Sequence, residues 1–447
     1  MSSIGPGVVF HVLLCVAGWC SSLSAASVDP GINTKRPNVI WLISEDMGQQ
    51  LGCYGFPIDT PNLDRLAREG TQFNRAFASS PICSPSRSAF TTGMYATTIG
   101  AQDHRTPAEK QQSLPPGVKI APRWFADAGY YTCLTGTNKT DWNFKRDGQS
   151  YMGTDWADRK PGQPFFAMHN FGEPHRWVWD RWESLPFKHD PSTVPVPPIY
   201  ADKPIMRQSI AKYMDFIVEM DRKVGLVLDR LEAEGELDNT VIFYFGDNGR
   251  TIYRGKQWLY DEGLSVPLIA RFPSVFEPGS INDELVSLLD ILPTSLALAG
   301  ESVPEKLQGR VIAGEKAKPE PAFLFASRDV SDDVPDLIRS ARDKRYKYIR
   351  NYKPELGYPA SAYVLRTHPE YIEARDAFYN NQLNAAQSQF FQEQKTAVEL
   401  YDIQADPYET ENLAGHPQFE NVERRMSEAL DQWIKVSGDV VLRGRDE

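Results

Sequence analysis

Four apolar runs, each ending in a cluster of ionisable side chains, most constrain what this chain can fold into. They are Asn38-Val-Ile-Trp-Leu-Ile-Ser44, Tyr130-Tyr-Thr-Cys-Leu134, Phe165-Phe-Ala-Met168 and Thr240-Val-Ile-Phe-Tyr-Phe245. Apolarity that does not alternate marks strands covered on both faces, as in parallel sheets flanked by helices. A long covering helix is predicted where Met206, Ile210, Tyr213, Ile217, Met220, Val224, Leu228 and Leu231 recur at spacings of three and four, with Gly235 ending it. A shorter one follows Thr60-Pro61, with Thr60 as its N-cap and Gly70 at its end.

From Arg36 to about Gly300 this alternation predicts an α/β fold with a large, mostly parallel sheet sandwiched by helices. Beyond the proline-rich stretch from Lys316 to Pro321 the texture changes to short strands, clearest at Ala322–Ala326 and Tyr346–Ile349. A polar helix from Gln382 to Gln394 and a last helix from Phe419 to Val436 complete a smaller C-terminal α+β subdomain with a short antiparallel sheet. The expected organisation is a signal peptide at residues 1–26, a catalytic domain at 36–310 and the subdomain at 311–447.

The signal peptide is read from the apolar run Val8 to Cys20, followed by the small residues Ser21 to Ala26. It predicts an exported protein, periplasmic or extracellular, with no stable membrane span once the signal is removed, because no other segment approaches the length of a span. Removal would leave Cys53, Cys83 and Cys133, three cysteines without a CxxC pair, which argues against a disulfide framework or a zinc site. With 48 basic and 59 acidic side chains the net charge is −11, so nucleic acid is excluded as the expected partner.

In open α/β sheets the carboxyl ends of the strands form the binding crevice. The four runs deliver Glu45 and Asp46, then Lys139 and Asp141, then Glu173 and His175, and finally Asp247 and Asn248. Glu45, Asp46, Asp247 and Asn248 are hard oxygen donors suited to Ca²⁺ or Mg²⁺. Lys139, Lys256 and His175 add cationic or proton-donating groups, so the site is expected to take an anion, a sulfate or phosphate ester. In Pro81-Ile-Cys83-Ser-Pro-Ser-Arg87-Ser-Ala-Phe-Thr-Thr-Gly93, Ser84 is the expected N-cap and Pro85 the first helical residue, which puts Cys83 just before a helix N-terminus with Arg87 one turn along. Two readings of Cys83 stay open on this basis: an activated thiolate and an ordinary buried cysteine.

Cys83-Ser-Pro-Ser-Arg87 matches C-x-P-S-R, and with it the chain resembles the type I, formylglycine-dependent sulfatases of the alkaline phosphatase superfamily. Asn38 to Gly55 resembles their first strand and metal-binding turn, and Thr60 to Ala78 resembles their T-P-N-hydrophobic-D-R-L-A segment. Phe245-Gly-Asp-Asn-Gly249, Arg254-Gly-Lys256 through Pro267, and Leu400-Tyr-Asp402 through Leu413 resemble further family segments. The resemblance implies a sulfuric ester hydrolase in which a maturation enzyme converts Cys83 to formylglycine (3-oxoalanine), whose hydrate attacks sulfur. It implies metal ligation by Glu45, Asp46, Asp247, Asn248 and the converted Cys83, with Ca²⁺ as the ion and Mg²⁺ as the alternative. Catalytic roles are implied for Arg87, Lys139, Asp141, His175 and Lys256, with His175 as general acid, and Lys139, His175 and Lys256 also contact substrate. His104 and Arg105, just beyond the signature helix, are candidates for lining the substrate pocket. The chain departs from the pattern at Glu45-Asp46, where the family has Asp-Asp, and at Thr91-Thr-Gly-Met94, where it has Leu-Thr-Gly-Arg. It also carries Lys139-Thr-Asp141 where the family has Lys-x-His, and both a base and a structural role are open for Asp141.

The expected substrate is a sulfated carbohydrate. The net charge favours short chain ends over long polyanions, which would be repelled. A formylglycine-dependent phosphodiesterase or phosphonate hydrolase, and a non-catalytic sugar-binding homologue, are the alternatives.

Overall fold

The computed structural model describes residues 35–186 and 188–442. The expected signal peptide at 1–26 lies outside them. Eight strands form the larger sheet: β1 (Asn38–Ser44), β2 (Thr71–Phe77), β3 (Tyr131–Gly136), β4 (Phe165–Phe171), β5 (Thr240–Gly246), β6 (Ser265–Arg271), β7 (Ser280–Asn282) and β8 (Val286–Ser287). Their order is β3-β4-β1-β5-β6-β2-β7, with β8 also on β2. The four apolar runs of the sequence, β3, β4, β1 and β5, are adjacent and mutually parallel, so their carboxyl ends share one edge. The sheet is mixed because β6 runs antiparallel to both β5 and β2.

Every residue of β1 is buried, and its side chains split between two apolar layers. Ile40 and Leu42 face the layer built by α1 (Pro61–Glu69) and α4 (Pro204–Ala233), whereas Val39, Trp41 and Ile43 face α2 (Cys83–Thr92) and α3 (Ala121–Asp127). This two-sided burial is why the run lacks strand alternation. The α4 stripe predicted from periodicity is the buried face of that helix.

Two expected caps are replaced. Thr60 does not cap α1; its Oγ1 accepts from the Gly52 N–H (2.9 Å) and donates to Asp64 (3.1 Å). The first turn of α1 is capped instead by Asp221 of α4, which accepts from the N–H of Leu63 at 2.8 Å and of Asn62 at 3.2 Å. Likewise Ser84 and Pro85 lie inside α2, whose first helical residue is Cys83 itself, with Ile82 at the cap. Gly93 closes α2 at φ +66°, a left-handed conformation that glycine adopts without strain.

The second sheet is antiparallel, in the order β12-β11-β10-β9, from β9 (Leu324–Arg328), β10 (Ile338–Arg342), β11 (Tyr346–Asn351) and β12 (Val398–Asp402). The helix Glu420–Ser437 buries Met426, Leu430 and Trp433 on one face of it, against Ala341, Tyr348 and Leu400. Ile338, Ile349 and Tyr401 on the other face join the core shared with α4. The polar helix expected from Gln382 to Gln394 is not formed. A helix spans Pro369–Tyr379, Asn381 turns the chain at φ 56°, and only Ala385–Ser388 and a 3-10 turn at Gln389–Phe391 follow. Polar residues with good helix propensity but no continuous buried stripe have little tertiary packing to hold a longer helix.

Asp290 ends the turn that follows β8 and is fully buried, accepting from the N–H of Arg310 (2.7 Å) and Ser287 (3.0 Å). Burial outweighs these bonds and pushes its carboxyl up to about 6. The folded protein therefore holds this proton where the unfolded chain has lost it. The stability it contributes is complete below the unfolded value near 3.8 and is lost as pH rises through about 6. Between pH 4 and pH 7 the wild type is expected to lose about 2 kcal/mol relative to Asp290→Asn in urea unfolding. A difference between the two proteins that does not change with pH would overturn this assignment.

Candidate active site

The parallel edge gathers the site. Beyond the last ladder residues, Glu45 donates its N–H to Phe171 O and Asp247 donates to Ser44 O, both at 3.0 Å, so the strands hold these turns in register. Gly246 permits the approach: a Cβ there would lie 2.2 Å from the Met47 carbonyl oxygen. Asp46 is held at φ 51°, and its N–H donates to Asp247 Oδ1 at 2.9 Å. Six non-glycine residues of the site and its rim have positive φ: Asp46, Arg105, Asp141, Arg254, Gln257 and Asp332. Such strain persists only where the surrounding structure enforces it.

Cys83, at the first turn of α2, has its Sγ 3.2 Å from Lys256 Nζ and 3.6 Å from Asp46 Oδ1. The same Nζ donates to Asp46 Oδ2 at 2.9 Å and lies 3.3 Å from His175 Nε2. Arg87, one turn along, is fully buried; its Nε donates to Asp247 Oδ2 and its Nη1 to Asn170 Oδ1, each at 2.8 Å. Lys139 Nζ donates to Glu45 and lies 3.8 Å from Asp141. Asn248 Nδ2 donates to Asp46 Oδ1 at 3.0 Å.

Burial dominates the proton affinities. It pushes the Cys83 thiol up to about 12, against the pull of Lys139 and Lys256. Of the two readings left open for the unmodified side chain, this favours the ordinary buried cysteine over the activated thiolate. Burial also raises Glu45, which Lys139 and Arg87 only partly offset. For Asp46, burial is overcome by Lys256, His175 and Lys139, leaving the carboxylate well below its usual range. Lys256 itself stays protonated because Asp46 outweighs its burial. His175 is driven well below the ordinary imidazole value, first by burial, with Asp46 opposing and Lys256 reinforcing. Asp141 is half-buried, and although its partial burial pushes the other way, Arg105 and Lys139 hold it far below the usual carboxylate range, so it is a weak proton acceptor.

The rim residues are placed as follows. Arg105 grips Asp141 with two bonds of 3.1 Å and keeps about half of its side chain exposed. His104 is buried, with Nδ1 2.8 Å from Asp332. Glu173 turns away to pair with Lys223 of α4. Three residues escaped the sequence reading. Asn170 is a polar residue at the end of a buried strand, a signal that could have flagged it. Asp332 and Tyr363 come from C-terminal segments; the Tyr363 ring lies 6.1 Å from that of His175, and nothing local in the sequence marks either residue.

Two groups of side chains could attract a cation. Ligating atoms of Asp46, Cys83 and His175 lie within 4.8 Å of one another, but the Lys256 ammonium contacts all three and fills the space between them. The oxygen set is different. Glu45 Oε1 and Asn248 Oδ1 are buried and have no hydrogen-bond partner among the described residues, beside the carboxylates of Asp46 and Asp247. Unpartnered buried acceptors are costly, and a hard divalent cation is the natural remedy.

The family model for sulfatases matches residues 37–158 and 150–301, the sheet and every residue named above up to Lys256. An ulvan-active sulfatase of Formosa agariphila is 33% identical over 453 residues, spanning 91% of this chain and 76% of that protein. The chain belongs to the sulfatase family. It is a sulfuric ester hydrolase, as the C-x-P-S-R resemblance implied. The C-terminal model of N-sulphoglucosamine sulphohydrolase matches residues 249–389 of this sulfatase, and the human N-sulphoglucosamine sulphohydrolase is 26% identical, spanning 90% of this chain and 91% of its own. The expected α/β fold with a small antiparallel sheet is shared with solved structures. One is a complex with its substrate D-glucosamine-2-N,6-O-disulfate, at TM-score 0.67 and 18% identity over 92% of this chain and 100% of that one. A phosphonate monoester hydrolase from Silicibacter pomeroyi also has TM-score 0.67, at 17% identity over 91% of this chain and 97% of that one. Among the described residues no helix is long and apolar enough to cross a membrane.

Proposed function

We propose that this sulfatase is exported and removes sulfate from a sulfated carbohydrate, with Cys83 matured to formylglycine and Ca²⁺ or Mg²⁺ bound by Glu45, Asp46, Asp247 and Asn248. The observation that carries the reading is the convergence on Cys83 Sγ of Lys256 at 3.2 Å and Asp46 at 3.6 Å, with His175 within reach of the same ammonium. A protonated thiol at this centre is a poor nucleophile, so the matured side chain suits the position better. When present, the two groups supply a hydroxyl nucleophile for sulfur and a Lewis acid for the sulfate oxygens. The sugar is inferred from relatives whose names specify ulvan and sulphoglucosamine.

This chain's own residues then divide the work. Lys139 and Lys256 face the anion and stabilise charge growing on its oxygens in a water-poor pocket. His175 Nε2 stands beside Lys256 and is the group placed to protonate the departing sugar oxygen. An anion in the site would offset the ammonium charges that, with burial, now disfavour the imidazolium. Arg87 holds the Asp247 carboxylate, and Asp141 holds Arg105 at the mouth rather than acting as a base.

The test is the mass of the tryptic peptide from Ala76 to Arg87, taken from protein made in its native host. Conversion of Cys83 lowers that mass by about 18 Da. Unmodified cysteine, in a host that converts another sulfatase, would defeat the maturation proposal. Rates on aryl sulfate, phosphonate and phosphodiester esters separate the sulfatase reading from its phosphorus counterpart. Sugar binding without any turnover would indicate the non-catalytic homologue.

A further inference from the structure

Two segments leave the catalytic rim side by side, 105–113 and 141–146. They are fastened at the rim by the Arg105–Asp141 pair. Further out, the Thr106 N–H donates to Asn143 Oδ1 at 2.7 Å and Asn143 Nδ2 donates to Thr106 Oγ1 at 2.9 Å. Beyond that the Lys145 N–H donates to Gln112 O at 2.8 Å, and Ser113 forms a β-bridge with Lys145. Trp142 and Phe144, stacked at 5.9 Å, root the second segment in the core, so the residues that follow emerge at a defined place.

Those residues are Lys145 and Arg146, and both are exposed. Together with Arg123 they line a cleft of about 380 Å³. Arg146 also borders a neighbouring cleft of about 370 Å³ that reaches Thr140, between Lys139 and Asp141, and its Nη1 donates to Thr140 Oγ1 at 3.4 Å. None of Arg123, Lys145 and Arg146 forms an ion pair among the described residues, although acidic side chains outnumber basic ones in the chain by 59 to 48. Most of the other cations near the site are paired: Lys139 with Glu45, Arg105 with Asp141, Lys119 with Asp127. From Asp141 to Arg146 a fully extended chain spans no more than about 18 Å, so the clefts begin close to the reaction centre.

We propose that this cationic track binds the continuing chain of a polyanionic glycan, holding sulfate or carboxylate groups beyond the ester that is cleaved. The proposal rests on the sulfated-carbohydrate reading and adds that the substrate is a polymer. Unpaired guanidinium and ammonium groups lining an open cleft are matched by oxyanions, and arginine forks fit them in pairs. A track of this kind also removes the objection raised by the net charge of −11, because charge is screened over about 8–10 Å and a polymer meets the local field of the cleft.

The experiment uses the full-length protein and the charge-reversed Arg123→Glu/Lys145→Glu/Arg146→Glu variant, with the triple Gln variant as a milder partner. On a dextran sulfate column the wild type should elute at higher salt than the Gln variant, and the Glu variant should run through. KM for a sulfated polysaccharide should rise at least tenfold in the Glu variant, while kcat/KM for an aryl sulfate stays within twofold. Equal elution of all three proteins would overturn the track, as would stronger retention of the wild type on DNA than on dextran sulfate. Because the column reads binding alone, loss of every turnover would count against the sulfatase mechanism and leave the track decided by elution. Both variants alter only exposed side chains, and an unchanged unfolding midpoint verifies their fold.

Discussion

Cys83→Ala is expected to abolish sulfate-ester turnover while leaving the protein folded. The side chain is small and buried, and its close polar contacts are the Lys256 ammonium and the Asp46 carboxylate, which remain bonded to each other at 2.9 Å when the sulfur is gone. The stability cost should therefore be near the common value of about 1 kcal/mol for a point substitution. Lys256→Ala should give a graded loss instead. It removes one preorganised cation from the anion pocket, and the deletion of a single such group lowers kcat by about 10²- to 10³-fold. It also leaves Asp46 buried without its nearest counter-charge, so a drop in stability should accompany the loss of rate. Aryl sulfate kinetics and urea unfolding on both variants check these outcomes. Residual turnover in Cys83→Ala within tenfold of the wild type would place the nucleophile elsewhere and end the proposed mechanism.

What could be read from the sequence followed the parallel sheet. Because the carboxyl ends of β3, β4, β1 and β5 share an edge, residues distant in the chain, such as Asp46 and Asp247, were legible as neighbours from the pattern of run and polar stop. The signature helix was legible for the same reason, with Gly93 ending it as expected. Capping was not, because the group that satisfies a helix terminus need not be adjacent in sequence; Asp221 reaches α1 from α4 across 158 residues. Asp332 and Tyr363 were invisible because they enter the site from the C-terminal segments, whose docking depends on long-range packing. The role of Asp141 became arguable only once Arg105 was seen to grip it, since spacing alone fits a base or a brace equally well.

The largest expected loss of stability belongs to Arg87→Met. Arg87 and Asp247 are both fully buried, joined at 2.8 Å, and the other guanidinium bond goes to Asn170 rather than to water. Methionine keeps most of the apolar volume but removes the charge, which strands a carboxylate in the interior. Breaking a buried pair from one side costs about 3–5 kcal/mol, much more than an exposed pair is worth. Arg87→Met/Asp247→Asn should recover a large part of this loss, because the stranded charge is then gone as well. Urea unfolding of the two variants decides the point, and a loss below about 1 kcal/mol in the single variant would mean that solvent or another cation compensates Asp247. The same pair reports on the proposed metal. If Asp247 is a ligand, Ca²⁺ or Mg²⁺ should stabilise Arg87→Met in proportion to the logarithm of its concentration once the site is saturated. The double variant, with one carboxylate fewer, should respond less. Equal responses in both would remove Asp247 from the ligand set while leaving its role as the partner of Arg87 intact.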